Sequence, residues 1–325
     1  RAPAKAPFYG LLTESISHEG YAAKPVHSYW DDFWALRGLK DAATLASVMG
    51  AESEAATIAA LRDDFRRTLV NSLHLVMERR SIDFLPGSVE LADFDPNSTA
   101  IALYPVDELA SLPRPAVERT FRRYLEVLEK RLRGEEPWES YTPYELRNVP
   151  ALLRLGQREE AWKVLRAVLA DRRPAGWYQW PEILWRDPSW PRFVGDMPHA
   201  WVSALYIEAL RHCFAYERES DASLVLAAGI PRSWVEQGVA VRRLPTHYGV
   251  VHFSLRAESP SSWKFEVGGD VHVPAGGLVV QAPVPQPIRS VVVNGKELPP
   301  SAEREFRITS VPAEAIIHFA AEEAP

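Results

Sequence analysis

The sequence predicts a chain of two structural kinds, a helical region forming part of an α/α toroid and, after it, an antiparallel β-sandwich. Three observations point there. From about residue 26 to 217, apolar residues recur at spacings of three and four, the period of a helix with one buried face. After about residue 222 they alternate in short runs punctuated by Pro and Gly, the period of strands. Several connections between the helices are rich in aromatic and polar side chains, as expected of loops gathered at one end of a ring.

The first 25 residues read as an extended segment. Arg1-Ala2-Pro3-Ala4-Lys5-Ala6-Pro7 lacks an initiator Met and an apolar signal core, the expectation for a linker left after processing or the start of a fragment. The toroid region spans 26–217, with helices expected near 28–49, 53–80, 97–104, 114–133, 143–155, 158–172 and 198–217. Ile58, Leu61, Phe65, Leu69, Leu73 and Val76 form one apolar stripe; Val117, Phe121, Leu125, Leu128 and Leu132 form another; Ala161, Val164, Leu165, Val168 and Leu169 form a third. Pro113 and Pro115 suit a helix start, and Gly50, Gly134 and Gly156 suit helix ends. The helices at 53–80, 114–133 and 158–172 carry a charged face and read as an outer layer; the others carry fewer charges and read as an inner one. An irregular bundle would show the same periodicity.

Glu217-Arg218-Glu219-Ser220-Asp221 lacks an apolar face and marks a boundary at 218–222. The sandwich region spans 222–325. Val251, Phe253 and Leu255 alternate with polar neighbours, as do Trp263, Phe265 and Val267, and Asn294-Gly295 after Val291-Val292-Val293 signals a two-residue hairpin.

Composition narrows the function. A net charge of −6 argues against nucleic acid as the main partner, and no apolar run reaches the roughly 18 residues of a membrane span. A single cysteine, Cys213, excludes an intrachain disulfide and a Cys-rich zinc site. The nine His show neither His-x-x-x-His nor His-Glu-x-x-His spacing, so no metal is expected, and no phosphate-binding glycine loop or Gly-x-Ser-x-Gly elbow occurs. No cofactor is expected. Hydrolysis by carboxylates remains the best-supported chemistry.

Two stretches carry that chemistry. Tyr29-Trp30-Asp31-Asp32-Phe33-Trp34 sets two acids among indoles at a helix start. Indole faces beside an acid suit a sugar-cleaving site, with a stacking surface and a proton donor; the same residues also suit a helix start whose acids complement the dipole while the indoles anchor the core. Trp177-Tyr178-Gln179-Trp180-Pro181-Glu182 sets one acid in an aromatic loop before a helix opened by His199. Glycoside hydrolysis needs a proton donor and a second carboxylate across the bond, and Asp31 and Glu182 are the candidates. Glu182 also reads as a plain loop acid beside Trp residues that plug a ring mouth. Tyr29, Trp30, Asp32, Trp34, Glu19, Tyr144, Glu145, Trp177, Gln179, Trp180 and His199 are candidates for binding a carbohydrate. Arg147 joins Glu145 as a hydroxyl ligand or as its ion-pair partner, His199 alternatively caps its own helix, and Asp95 reads first as a helix cap.

The segment Tyr29 to Gly50 resembles the glucoamylase family and its six-hairpin relatives, in which a Trp followed by two acids opens an inner helix and the first acid is the donor. The resemblance implies a partial (α/α)6 toroid and an inverting mechanism, with Asp31 as acid and Glu182 as base. It stands on an Asp-Asp pair where the family has Glu-Glu, which leaves Asp32 as the other candidate donor. The tail from Leu224 resembles the C-terminal sandwich of bacterial rhamnosidases. Seven helices cannot close a six-hairpin ring, which implies the C-terminal part of a larger enzyme or a partner chain completing the toroid. The expected function is a glycoside hydrolase acting on an oligo- or polysaccharide outside the cytoplasm. The alternatives are a polysaccharide lyase using Tyr144, Arg147, Asn148 and His199, and a noncatalytic carbohydrate-binding fragment.

Overall fold

The computed structural model describes residues 6–17, 21, 23–138, 140–173, 176–185, 187, 189, 195–282, 286–298 and 304–320. Most of the helices precede the two larger sheets, and the chain packs as two compact units, Arg1–Ala151 with Pro181–Met197, and Leu152–Trp180 with Pro198–Pro325. Helices Arg158–Ala170 and Ala200–Phe214 thus fall in the same unit as the sheets, whereas the sequence reading draws a single break after residue 217.

In the first unit, helix α1 (Tyr29–Val48) and helix α2 (Glu52–Arg80) form an antiparallel hairpin. The turn follows from Gly50, whose positive φ lets its N–H reach Ser47 O at 2.9 Å while Ala51 N–H reaches Ala46 O at 2.9 Å. Gly134 and Gly156 end their helices by the same pattern of bonds. Tyr29, Phe33 and Leu36 of α1 and Leu69, Leu73 and Val76 of α2 are buried, and the Tyr29 and Ser72 hydroxyls meet at 2.7 Å. Tyr29 is therefore a packing residue of this hairpin. Trp34, Leu45 and Val48 of α1 are exposed.

Helix α3 (Pro96–Thr99) is shorter than the expected 97–104 because the chain tightens into a 3-10 turn at Ala100–Ala102. Asp95 caps it, accepting Ser98 N–H at 3.1 Å. Helix α4 (Arg114–Leu132) buries Val117, Phe121, Tyr124 and Leu128, while Leu132 is exposed. Strand β1 (Ser140–Tyr141) pairs with strand β2 (Leu184–Trp185), a contact too short to leave a period in the sequence. The helix expected at 143–155 is two pieces, a 3-10 turn at Pro143–Arg147 and helix α5 (Asn148–Arg154). Thr142 caps the first piece, its hydroxyl accepting Tyr144 N–H at 3.3 Å.

In the second unit, helix α6 (Arg158–Ala170) is bonded to the sheets' loops by Arg158, which donates to Ala228 O at 2.7 Å and Ala282 O at 3.3 Å, and by Trp162, which donates to Gly229 O at 2.6 Å. Helix α7 (Ala200–Phe214) stops three residues before the expected 217. Strand β3 (Ala215–Arg218) follows without a loop, because its backbone is satisfied by antiparallel strand β4 (Ser223–Leu226) and Tyr216 is buried.

After helix α8 (Arg232–Gln237) come strands β5 (Val239–Thr246), β6 (Gly249–Ser259), β7 (Ser262–Val271), β8 (Leu278–Gln281), β9 (Ile288–Val293), β10 (Lys296–Leu298), β11 (Glu305–Ile308) and β12 (Ala313–Phe319). They form a six-stranded sheet, β10-β9-β12-β7-β6-β5, and a four-stranded sheet, β11-β8-β4-β3. One core joins the inner faces, with Phe253, Trp263, Phe265 and Ile317 from the first sheet meeting Leu226, Val280 and Phe306 from the second. The sandwich is antiparallel except at β4–β8, which pair in parallel across a long crossover. Asn294 and Gly295 both have positive φ between β9 and β10, the two-residue turn read from the sequence.

Phe265 is fully buried, so Phe265→Ala should lower the unfolding free energy of the second unit by about 3–5 kcal/mol in urea titrations. A loss below about 1 kcal/mol would contradict this packing account.

Candidate active site

The first turn of α1 lies beneath the segment 12–17. Leu12 N–H donates to Asp32 Oδ1 at 3.0 Å, while the Ser15 and Ser17 hydroxyls donate to Asp31 at 3.0 and 2.9 Å. The segment is held there by a pair of backbone bonds between Ser15 and Val26, both 3.0 Å. The neighbouring acids therefore sit in different surroundings. Asp31 is half-buried, whereas Asp32 is 1% exposed. Burial raises the Asp32 pKa to about 7, the Leu12 N–H opposes the shift, and the Asp31 charge adds to it.

Trp30 is 5% exposed and meets Trp34 edge-on, with ring centres 5.7 Å apart. The guanidinium of Arg147, a residue 3% exposed, lies 4.5 Å from the Trp30 ring centre and 4.0 Å from that of Tyr144. Trp30 and Tyr144 thus clasp an arginine, and Trp34, at 36% exposure, is the indole this helix offers to solvent. Burial raises the Asp95 pKa; the Asp93 charge adds to this and the Arg147 charge opposes it. Asp93 accepts from the Tyr21 hydroxyl at 2.7 Å and from the Ser88 hydroxyl at 2.8 Å. These groups crowd Gly87, where an added Cβ would come within 2.4 Å of the Tyr21 oxygen and 3.1 Å of Asp95 Cβ.

Glu145 is buried, but it does not pair with Arg147. It accepts from the Tyr124 hydroxyl at 2.5 Å, and Arg131 Nη1 lies 4.0 Å away. Burial raises its pKa, against the hydrogen bonds from Tyr124 and Asn97. Asn148 donates to Asn97 Oδ1 at 2.6 Å, joining α5 to α3.

Glu182 is half-buried, and its loop is fastened on both sides. Its N–H donates to Asp196 O at 3.0 Å, and Gly195 N–H donates to Ile183 O at 2.9 Å. Its carbonyl accepts from the Thr142 hydroxyl at 2.5 Å, the same hydroxyl that caps the turn bearing Tyr144, Glu145 and Arg147. The Thr142 hydroxyl thus ties the Glu182 loop to the turn of the arginine clasp.

In the second unit, Trp177 and Gln179 are exposed, and Trp180 is buried with its ring 5.2 Å from Tyr206. His199 caps α7 by accepting Val202 N–H at 3.4 Å, and its own N–H donates to Trp180 O at 2.8 Å. Glu19 lies outside the described residues. Among the described residues, no three His, Cys, Asp or Glu side chains gather as a metal site. Asp93 and Tyr21 stand 72 residues apart in sequence, and no period or spacing in the sequence joins them.

Asp32 supplies a pH test. Its folded pKa of about 7 lies above the unfolded value near 3.9, so protons bind the folded state more tightly. Its contribution is full below about pH 4 and is lost as pH rises to about 7. Asp32→Asn should flatten that part of the profile in urea titrations at pH 4, 5.5 and 7. Parallel profiles for the two proteins would contradict the burial account.

No family model matches the sequence, and no curated protein is significantly similar to it. Among solved structures, the α-L-rhamnosidase from Dictyoglumus thermophilum superposes with a TM-score of 0.51 at 12% identity, covering 88% of this chain and 31% of that one. The chain spans about a third of that enzyme's length. The likeness is one of fold: helices followed by a sandwich, as in a rhamnosidase, with no specific tie to the glucoamylases.

Proposed function

We propose that the chain forms part of an inverting glycoside hydrolase, with Asp31 giving a proton to the glycosidic oxygen and Glu182 activating the attacking water. One observation carries the reading. A half-buried acid, Asp31, stands beside an arginine-clasped indole, and the loop of a second half-buried acid, Glu182, is hydrogen-bonded to the turn that supplies the arginine. Such hydrolysis needs two carboxyl groups on opposite sides of the bond, held by rigid supports.

The roles divide by exposure. The Ser15 and Ser17 hydroxyls orient Asp31 and, being both donors and acceptors, can follow it through proton transfer. Asp32 ties the segment 12–17 to the first turn of α1. Trp34 offers an apolar face to a sugar ring. The helices from Tyr29 to Leu132 form part of an α/α ring, and an oligo- or polysaccharide is the substrate. The fold likeness to an α-L-rhamnosidase makes aryl α-L-rhamnosides the first compounds to try.

Asp31→Asn should lower turnover of a rhamnose disaccharide by about 100-fold or more, but that of p-nitrophenyl α-L-rhamnoside far less, because nitrophenolate leaves without a proton. Glu182→Gln should impair both, since water activation is lost whatever leaves. Equal losses on both substrates in Asp31→Asn, or an active Glu182→Gln, would contradict the assignment. The substrate-dependent loss in Asp32→Asn alone would move the donor to that neighbour. An unsaturated sugar product would mean elimination and overturn the hydrolase reading.

A further inference from the structure

A cavity of about 780 Å³ opens on the six-stranded sheet, a size typical of small-molecule sites. It belongs wholly to the second unit, far along the chain from the carboxylates discussed above. Its floor is Gly268, which faces His252 across the β6–β7 ladder. An added Cβ at Gly268 would come 2.7 Å from His252 Nε2, so the imidazole occupies the space above the glycine.

The walls differ in charge. On one side stand Arg242 and Arg243, both exposed, at a bulge where the β5–β6 register shifts between Val241 and Leu244. Arg243 has a φ of 55°, a left-handed conformation unfavourable for a residue with a side chain. Bulges re-aim side chains, and this one puts two consecutive arginines along one cavity. Among the described residues, neither guanidinium has an ion-pair or hydrogen-bond partner. On the other side are the carboxylates of Glu266 and Glu314. Lys264 Nζ lies 3.0 Å from the first and 2.6 Å from the second, and the Ser254 hydroxyl donates to Glu266 at 3.0 Å.

This pattern selects a ligand. A neutral sugar would leave both guanidinia without an anion. A small inorganic anion would satisfy them, yet would leave most of the volume empty and bring no further donor to the carboxylates. A molecule with a carboxylate at one end and hydroxyls at the other satisfies both walls: the guanidinia take the carboxylate, and the hydroxyls donate to Glu266 and Glu314.

We propose that this cavity binds a uronate-containing oligosaccharide, with Arg242 and Arg243 taking its carboxylate and Glu266 and Glu314 accepting from its hydroxyls. This site lies beyond the hydrolytic reading and does not rest on it. The test is binding of an aldobiouronate, one uronate linked to one neutral sugar, and of its methyl ester to the intact chain, followed in ¹H–¹⁵N spectra. The acid should shift the amides of His252, Gly268 and Asn294. The ester should bind at least about tenfold more weakly, as should the acid to the Arg242→Gln/Arg243→Gln variant, the loss expected from one charge-assisted hydrogen bond. If removing Arg243 disturbs the bulge, Arg242→Gln alone must still weaken the acid and not the ester. The proposal is overturned by no shifts at up to about 10 mM acid, by equal binding of acid and ester, or by variants that bind as the parent does. Shifts confined to residues of the first unit would overturn it too, and would leave the hydrolase reading untouched.

Discussion

A buried guanidinium organises the first unit. Taking an arginine out of water costs several kcal/mol unless its charge is met, and among the described residues Arg147 has two aromatic faces and the nearby charge of Asp95 to help meet it. Each of these partners comes from a different segment. Trp30 brings α1, Tyr144 brings the 3-10 turn, and Asp95 brings the cap of α3. The turn is in turn bonded through Thr142 to the Glu182 loop. Displacing Arg147 would therefore loosen the links from its turn to α1 and to the cap of α3, segments that no single stretch of sequence holds together.

The same constraint sorts the carboxyl groups. Asp32, Asp95 and Glu145 all lie in places where burial raises their pKa, and each is occupied locally: Asp32 by Leu12 N–H, Asp95 by Ser98 N–H, Glu145 by the Tyr124 hydroxyl. Such acids set the shape of the site. Asp31 and Glu182 are more accessible and are fixed by hydroxyl or backbone bonding around them. That division between shaping acids and reachable acids is the physical basis of the roles proposed here.

Much of the fold was legible because it rests on local rules. The helix stripes, the ends at Gly50, Gly134 and Gly156, the Asp95 cap, the change of period after residue 222 and the Asn294-Gly295 turn each depend on residues within a few positions. What was illegible depends on distant partners. Strand β3 replaces the end of a helix only because β4 is there to pair with it, and β8 lies parallel to β4 only through the intervening strands. At the site, Asp31, Asp32 and the Glu182 loop stood out as acids among indoles. Tyr29 shared that signature, yet its hydroxyl belongs to Ser72 inside the helix hairpin. Of the two roles the sequence offers Glu145 and Arg147, hydroxyl ligands or an ion pair, the pair does not form: the two side chains go to different neighbours.

The arginine clasp can be measured directly by a double-mutant cycle on the intact chain, with Arg147→Met, Trp30→Leu and the double variant compared in urea unfolding. A coupling of about 1–2 kcal/mol is the expected result for a desolvated cation between aromatic faces. Additive losses, with coupling within about 0.3 kcal/mol of zero, would contradict the claim that Arg147 and Trp30 hold the site together.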